Sequence, residues 1–143
     1  MVIDTSALIA ILLGEPEAKL FARLIAADAS ERLVSSFSAL EAAIVIQARK
    51  GDAGVRELDL LFQSAKLTIL SLDAEQVLLA RNAYREFGKG RHPAKLNLGD
   101  CCSYALARAS KKSLLFKGED FSKTDIPAIW RPTEEDEAED SEV

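Results

Sequence analysis

The apolar residues of this chain fall into two alternating patterns. Val2-Ile3, Arg32 to Ser35, Leu67-Thr68-Ile69-Leu70 and Ser113 to Phe116 are short runs rich in aliphatic and β-branched residues. Runs of this length between turn residues read as buried strands. Between them, apolar positions recur at helical spacing. A first helix runs to Leu13, with Thr5 or Ser6 as its cap. Gly14 and Pro16 stop it and start a second over Pro16 to Ala27, with Leu20, Phe21, Leu24 and Ile25 on one face. Ser36 or Ser38 caps a third to about Lys50, ended by Gly51. Val55 to Lys66 is a fourth, with Leu58, Leu61 and Phe62 in register. Asp73 caps a fifth through Phe87, with Val77, Ala80 and Tyr84 inward. After a loop over Gly88 to Asn97, Leu98 to Ser110 is a sixth. Lys117 to Phe121 is a turn, and Ala128 to Trp130 a short last strand. Strands alternating with helices predict an α/β fold: a three-layer α/β/α sandwich around a central, mainly parallel sheet of four to five strands.

Length and charge refine this. The 143 residues suit one domain with a real core. Its expected extent is residues 1–132, followed by an acidic tail over 133–143 of the composition that stays disordered. Setting aside the tail's seven acids leaves 16 acids against 18 bases. The body is therefore slightly basic, which permits a nucleic-acid partner. No apolar run reaches the length of a membrane span. Met1 opens directly into the first strand, so the expectation is a cytoplasmic chain without a cleaved leader. Cys101 and Cys102 are adjacent, a spacing that suits neither a disulfide framework nor a zinc site. They read as two small apolar residues in a helix.

Four acids stand out. Asp4 follows the first strand, at the edge where parallel sheets bind ligands. Glu41 has Phe37, Ser38, Ile44 and Val45 as its helical neighbours. A carboxylate on so apolar a face must be paired or bind metal, unless it closes a capping box with Ser38. Asp100 enters the sixth helix, a position that the helix dipole alone would favour. Asp120 follows a strand as Asp4 does, with Glu119 beside it, and either can point inward. Three of these would lie at the carboxyl edge of one sheet, with Glu41 leaning over it. Like charges so gathered repel by several kcal/mol and need a counter-charge. An all-oxygen set selects Mg²⁺ or Mn²⁺ over zinc.

The pieces Val2-Ile3-Asp4-Thr5-Ser6-Ala7-Leu8, Ser38-Ala39-Leu40-Glu41, Leu98-Gly99-Asp100-Cys101 and Lys117-Gly118-Glu119-Asp120-Phe121, with Thr124-Asp125-Ile126 after them, resemble the PIN-domain ribonucleases. Within these the chain looks most like the VapC-type toxins of toxin–antitoxin pairs, over about residues 1 to 130. The resemblance implies a catalytic quartet of Asp4, Glu41, Asp100 and Asp120, with Thr5, Ser6 and Glu119 in support. Relatives often have Asp or Asn where Glu119 stands. Asp4 and Asp100 would hold a first Mg²⁺, and the reaction would be hydrolysis of RNA phosphodiester bonds. The resemblance also implies a homodimer and a cognate antitoxin docked over the acids, with an Arg or Lys near the metal. Leu13, Leu20 and Phe21 either line part of the antitoxin groove or pack in the core.

Arg81, Arg85, Lys89, Arg91 and Lys95 are the densest basic stretch. They form either a solvated face or a track for the RNA backbone. His92, the only histidine, reads as a solvated loop residue, and its solitude excludes nucleases built on two histidines. Two rivals remain. A phosphatase or phosphotransfer domain also sets an Asp after strand one, but its dehalogenase-type form wants a second Asp where Ser6 stands. The other is a non-catalytic binding module that keeps the fold, against which an intact quartet argues.

Overall fold

A computed structural model describes residues 1–130. The elements in chain order are β1 (Val2–Ile3), α1 (Thr5–Leu12), α2 (Ala18–Ala27), β2 (Leu33–Ser35), α3 (Ser36–Ser64), β3 (Thr68–Leu70), α4 (Ala74–Phe87), α5 (Leu98–Ser110), β4 (Leu114–Leu115) and a 3₁₀ turn (Asp120–Lys123). The four strands form one sheet in the order β3-β2-β1-β4, and every pairing is parallel. The expected strand at Ala128 to Trp130 reduces to a single bridge between Ala128 and Leu114. The acidic tail over 133–143 lies outside the described residues.

Alternation along each strand divides the core into two layers. Val2, Leu33 and Leu114 face one cluster, with Ala83 of α4 and Cys101, Tyr104 and Ala107 of α5. Ile3, Val34 and Leu115 face the other, with Leu8 of α1, Phe21 and Ile25 of α2, and Ala42 and Leu58 of α3. Helices on both faces of a parallel sheet make the three-layer sandwich.

Local chemistry moves several boundaries. Asp4 itself, rather than Thr5 or Ser6, is the N-cap of α1, its carboxylate accepting from Ser6 N. Helix α2 begins at Ala18, two residues after Pro16, because Gly14 reverses the chain at φ +62°. Ser35 is the N-cap of α3, so Ser36 and Ser38 already lie inside the helix. The expected break at Gly51 is present as a kink with φ 65° and ψ −159°, and the fourth expected helix is the second arm of α3.

On α4 the buried stripe is Gln76 and Ala83, with Ala80 and Phe87 partly buried against the same cluster. Val77 and Tyr84, expected inward, are 41% and 45% exposed. They lie one residue along from that stripe, about 100° around the helix. Phe21 is fully buried and stands edge-on to Trp130 at 5.8 Å, so it belongs to the core and lines no groove. Leu20 packs half-buried against the same cluster, and Leu13 is half-buried at the end of α1. Phe21→Ala should destabilise the protein by about 3–5 kcal/mol in denaturant unfolding, the range for a buried aromatic whose site cannot collapse.

Candidate active site

Asp4 ends β1 and is only 3% exposed. A carboxylate so buried must be solvated by protein donors. Its Oδ2 accepts from Ser6 N at 3.0 Å and from Ser6 Oγ at 2.7 Å, and its Oδ1 accepts from Ser103 Oγ at 2.5 Å. Lys117 N, just past β4, donates to Ser6 Oγ at 2.9 Å. Thr5 does not reach the carboxylate; its hydroxyl lies 3.4 Å from the Ser38 carbonyl oxygen.

Glu41 projects from α3, half-buried, toward the start of α5. A Cβ at position 99 would lie 2.8 Å from Glu41 Oε1 and 3.0 Å from Oε2. A side chain at 99 would therefore crowd that carboxylate where it lies beside Asp100. Glu41 closes no capping box, since Ser35 is the N-cap and makes no side-chain cap bond. Asp100 does: its Oδ2 accepts from Asn97 N at 3.0 Å, and its own N–H donates to Asn97 Oδ1 at 2.9 Å. Burial pushes the Asp100 carboxyl up to about 7, against the lowering effect of the Asn97 amide. The charges of Asp4, Asp120 and Glu41 raise it further. Asp100 therefore senses all three of the other acids. Asp120 and Glu119 are both exposed, and the charge of Asp120 acts on Asp100.

Among the described residues, no Lys, Arg or His pairs with any of the four acids. The Lys117 ammonium, three residues before Asp120, pairs with Glu15 and Glu17 instead. As the side chains lie, no three carboxylate, imidazole or thiol groups among the described residues form a closed cage for one ion. The donor set nonetheless fits a hard cation in atom type and in uncompensated charge.

A model of the PIN domain matches residues 1–127. The chain belongs to the PIN-domain family. Its similarity to VapC proteins runs over nearly the whole of each chain. It is 54% identical to a protein named Ribonuclease VapC from Mycolicibacterium smegmatis, over 90% of this chain and 99% of that one. It is 53% identical to Ribonuclease VapC30 of Mycobacterium tuberculosis, over 92% of this chain and all of the relative. Among solved structures, VapC20 of Mycobacterium tuberculosis, described as a sarcin–ricin loop cleaving toxin, superposes with a TM-score of 0.75 at 18% identity, covering 92% of this chain and 98% of that one. At that identity the likeness establishes the fold.

Around this PIN domain's acids, the basic residues divide. Arg81, Arg85, Lys89 and Arg91 are all exposed. Arg81 lines an open groove of about 490 Å³ with Leu72, Val77, Tyr84 and Leu98, and the Arg91 guanidinium sits 5.9 Å from the centre of the Tyr84 ring. His92 is not a solvated loop residue: it is half-buried, its Nδ1 accepts from Ala94 N at 3.0 Å, and its ring stands edge-on to Phe87 at 5.2 Å. It folds the loop. Cys101 and Cys102 are buried free thiols, and burial pushes the Cys101 thiol up to about 12.

Sequence reasoning passed over Gly99 and Ser103, and took Ser38 for a cap. The signal that could have found them was spacing: Ser103 follows Asp100 by three residues, one helical turn, as Glu41 follows Ser38.

The raised Asp100 carboxyl has a sign. Its folded value of about 7 exceeds the ordinary 3.8, so between these limits the folded state holds more protons than the unfolded. Stability from this group is present below about pH 4 and is lost as pH rises toward 7. In chelator, Asp100→Asn should raise the melting temperature at pH 8 and change it little at pH 4. A melting series of both proteins checks this, and equal curves at pH 8 would contradict it.

Proposed function

We propose that this PIN domain is a magnesium-dependent endoribonuclease that acts in the cytoplasm as the toxin of a toxin–antitoxin pair. The observation that carries the reading is that α5 meets two of the other acids, Glu41 lying against position 99 and Asp4 accepting from Ser103, one turn after Asp100, without a basic partner among the described residues. Close relatives named as ribonucleases support RNA as the substrate.

In this reading Asp4 and Asp100 hold the ion, and Glu41 and Asp120 complete the site directly or through water. Bound Mg²⁺, or Mn²⁺, would lower the pKa of a water to supply the nucleophile and offset charge on the phosphate. The protein does the rest. Ser6 and Ser103 hold the Asp4 carboxylate in place. With an ion bound, Asp100 would hold it as the deprotonated carboxylate, its position fixed by the Asn97 amide. Glu41, with no hydrogen bond of its own among the described residues, orients the attacking water and takes its proton. Arg81, Arg85, Lys89 and Arg91 guide the RNA backbone toward these groups.

The same acids fit an Arg or Lys of an antitoxin laid over them, which would neutralise the site and block the substrate. Homodimerisation belongs to this proposal as well. The exposed apolar residues Leu40 and Ile44 of α3, Val77 of α4 and Leu98 of α5 offer surface that a partner copy would cover. Among the described residues, no helix is long and apolar enough to cross a membrane.

Purified protein should cut RNA in Mg²⁺ and stop in chelator. Asp4→Asn should lose cleavage while keeping a native circular dichroism spectrum. Full activity in the mutant, or equal cleavage in chelator, would refute the assignment. Reversing charge at Arg85 and Lys89 together should weaken RNA binding. The slope of log affinity against log salt should flatten by about 0.7 for each phosphate that is no longer neutralised. An unchanged slope in a filter-binding titration would remove these residues from the track.

A further inference from the structure

Two helices each carry an acid and a hydroxyl three residues apart. On α3 they are Ser38 and Glu41; on α5 they are Asp100 and Ser103. The hydroxyls meet beneath the acids: Ser38 Oγ and Ser103 Oγ are 3.1 Å apart, across 65 residues of chain. Both side chains are fully buried. Ser103 Oγ is also 2.5 Å from Asp4 Oδ1.

A hydroxyl has one proton, and an ionised carboxylate can only accept. Ser103 must therefore donate to Asp4, which makes Ser38 the donor in the serine pair. The chain has one direction, from Ser38 to Ser103 to Asp4 Oδ1, and each bond polarises the next. Oδ2 is held separately by Ser6, whose oxygen is fixed in turn by Lys117 N. With a donor from a different helix on each oxygen, the carboxylate cannot rotate about its Cβ–Cγ bond without losing a hydrogen bond.

We infer that Ser103 and Ser38 form a buried hydroxyl relay that aims the Asp4 carboxylate, Ser103 by direct contact and Ser38 through Ser103. They are positioning residues, since full burial keeps both away from RNA. The inference rests on the metal-dependent nuclease reading above. Removing Ser103 leaves Oδ2 gripped and Oδ1 loose. The defect should then fall on ion binding and turnover rather than on substrate affinity.

The test measures three variants, Ser103→Ala, Ser38→Ala and the double mutant. Each is followed by Mn²⁺ calorimetry, by RNA cleavage kinetics and by thermal melting. Ser103→Ala should lose roughly 10–100-fold in Mn²⁺ affinity and in kcat, the usual effect of removing a group that orients a metal ligand, with KM within about twofold. Ser38→Ala should shift the same quantities less. The double mutant should be no worse than Ser103→Ala, because Ser38 acts only through it. A folded Ser103→Ala with wild-type Mn²⁺ affinity and kcat overturns the relay, as does full additivity of the two substitutions. If Ser103→Ala does not fold, Ser38→Ala decides alone: reduced Mn²⁺ affinity at unchanged KM supports the relay, and unchanged affinity overturns it. A wild-type protein that neither binds Mn²⁺ nor cuts RNA overturns the nuclease reading and the relay together. A wild-type protein that does both, beside an unaffected Ser103→Ala, overturns the relay alone.

Discussion

The structure turns on a carboxylate that has left water and pairs with no basic side chain among the described residues. Asp4 is 3% exposed at the end of the central strand β1, and transferring an unsolvated carboxylate into a protein interior costs far more than a domain's whole stability. The fold meets this with dipoles. Ser6 N and two hydroxyls donate to Asp4, and the residue also caps α1, whose amino end favours negative charge. The groups that supply these donors come from α1 and α5, and Ser6 is in turn anchored to the segment after β4. Holding one side chain therefore ties together elements from both faces of the sheet.

The same arrangement concentrates charge that the fold does not neutralise. Burial pushes the Asp100 carboxyl up to about 7, and the charges of Asp4, Asp120 and Glu41 add to the rise. The Glu41 carboxylate lies against position 99, in space that a side chain there would contest. The Lys117 ammonium pairs with Glu15 and Glu17, in the link between α1 and α2, and with none of the four acids. Perturbed acids of this kind mark functional sites more often than structural ones.

How much of this the sequence discloses depends on what each residue does. Asp4 and Asp100 are legible because they stand where strand or loop turns into helix, and parallel sheets gather such places at one edge. The division of the core is legible from Val2-Ile3 and Leu114-Leu115, each pair sending one residue to either face. Val77 and Tyr84 mislead because an apolar residue one step off a helix's buried stripe looks like part of it. His92 misleads because it sits in a loop whose path no periodicity encodes, and that path folds it back on Phe87 at the end of α4 and on the Ala94 amide. Ser103 stays hidden for a different reason. Small residues are common in buried helices, and its partner Asp4 is 99 positions away.

That Asp4 is held by serines rather than by a lysine or arginine has a physical logic. A cationic partner would fix the carboxylate equally well and stabilise the ion more strongly. It would also cancel the charge on which the proposed ion binding depends, and such an ion would have to displace it. A hydroxyl orients the same oxygen while leaving the net charge of the cluster intact. Ser103 occupies one lone pair of Oδ1, and Ser6 with its amide faces Oδ2. Neutral donors thus aim Asp4 without cancelling its charge, and in the proposed mechanism a bound cation would relieve the remaining repulsion among the acids.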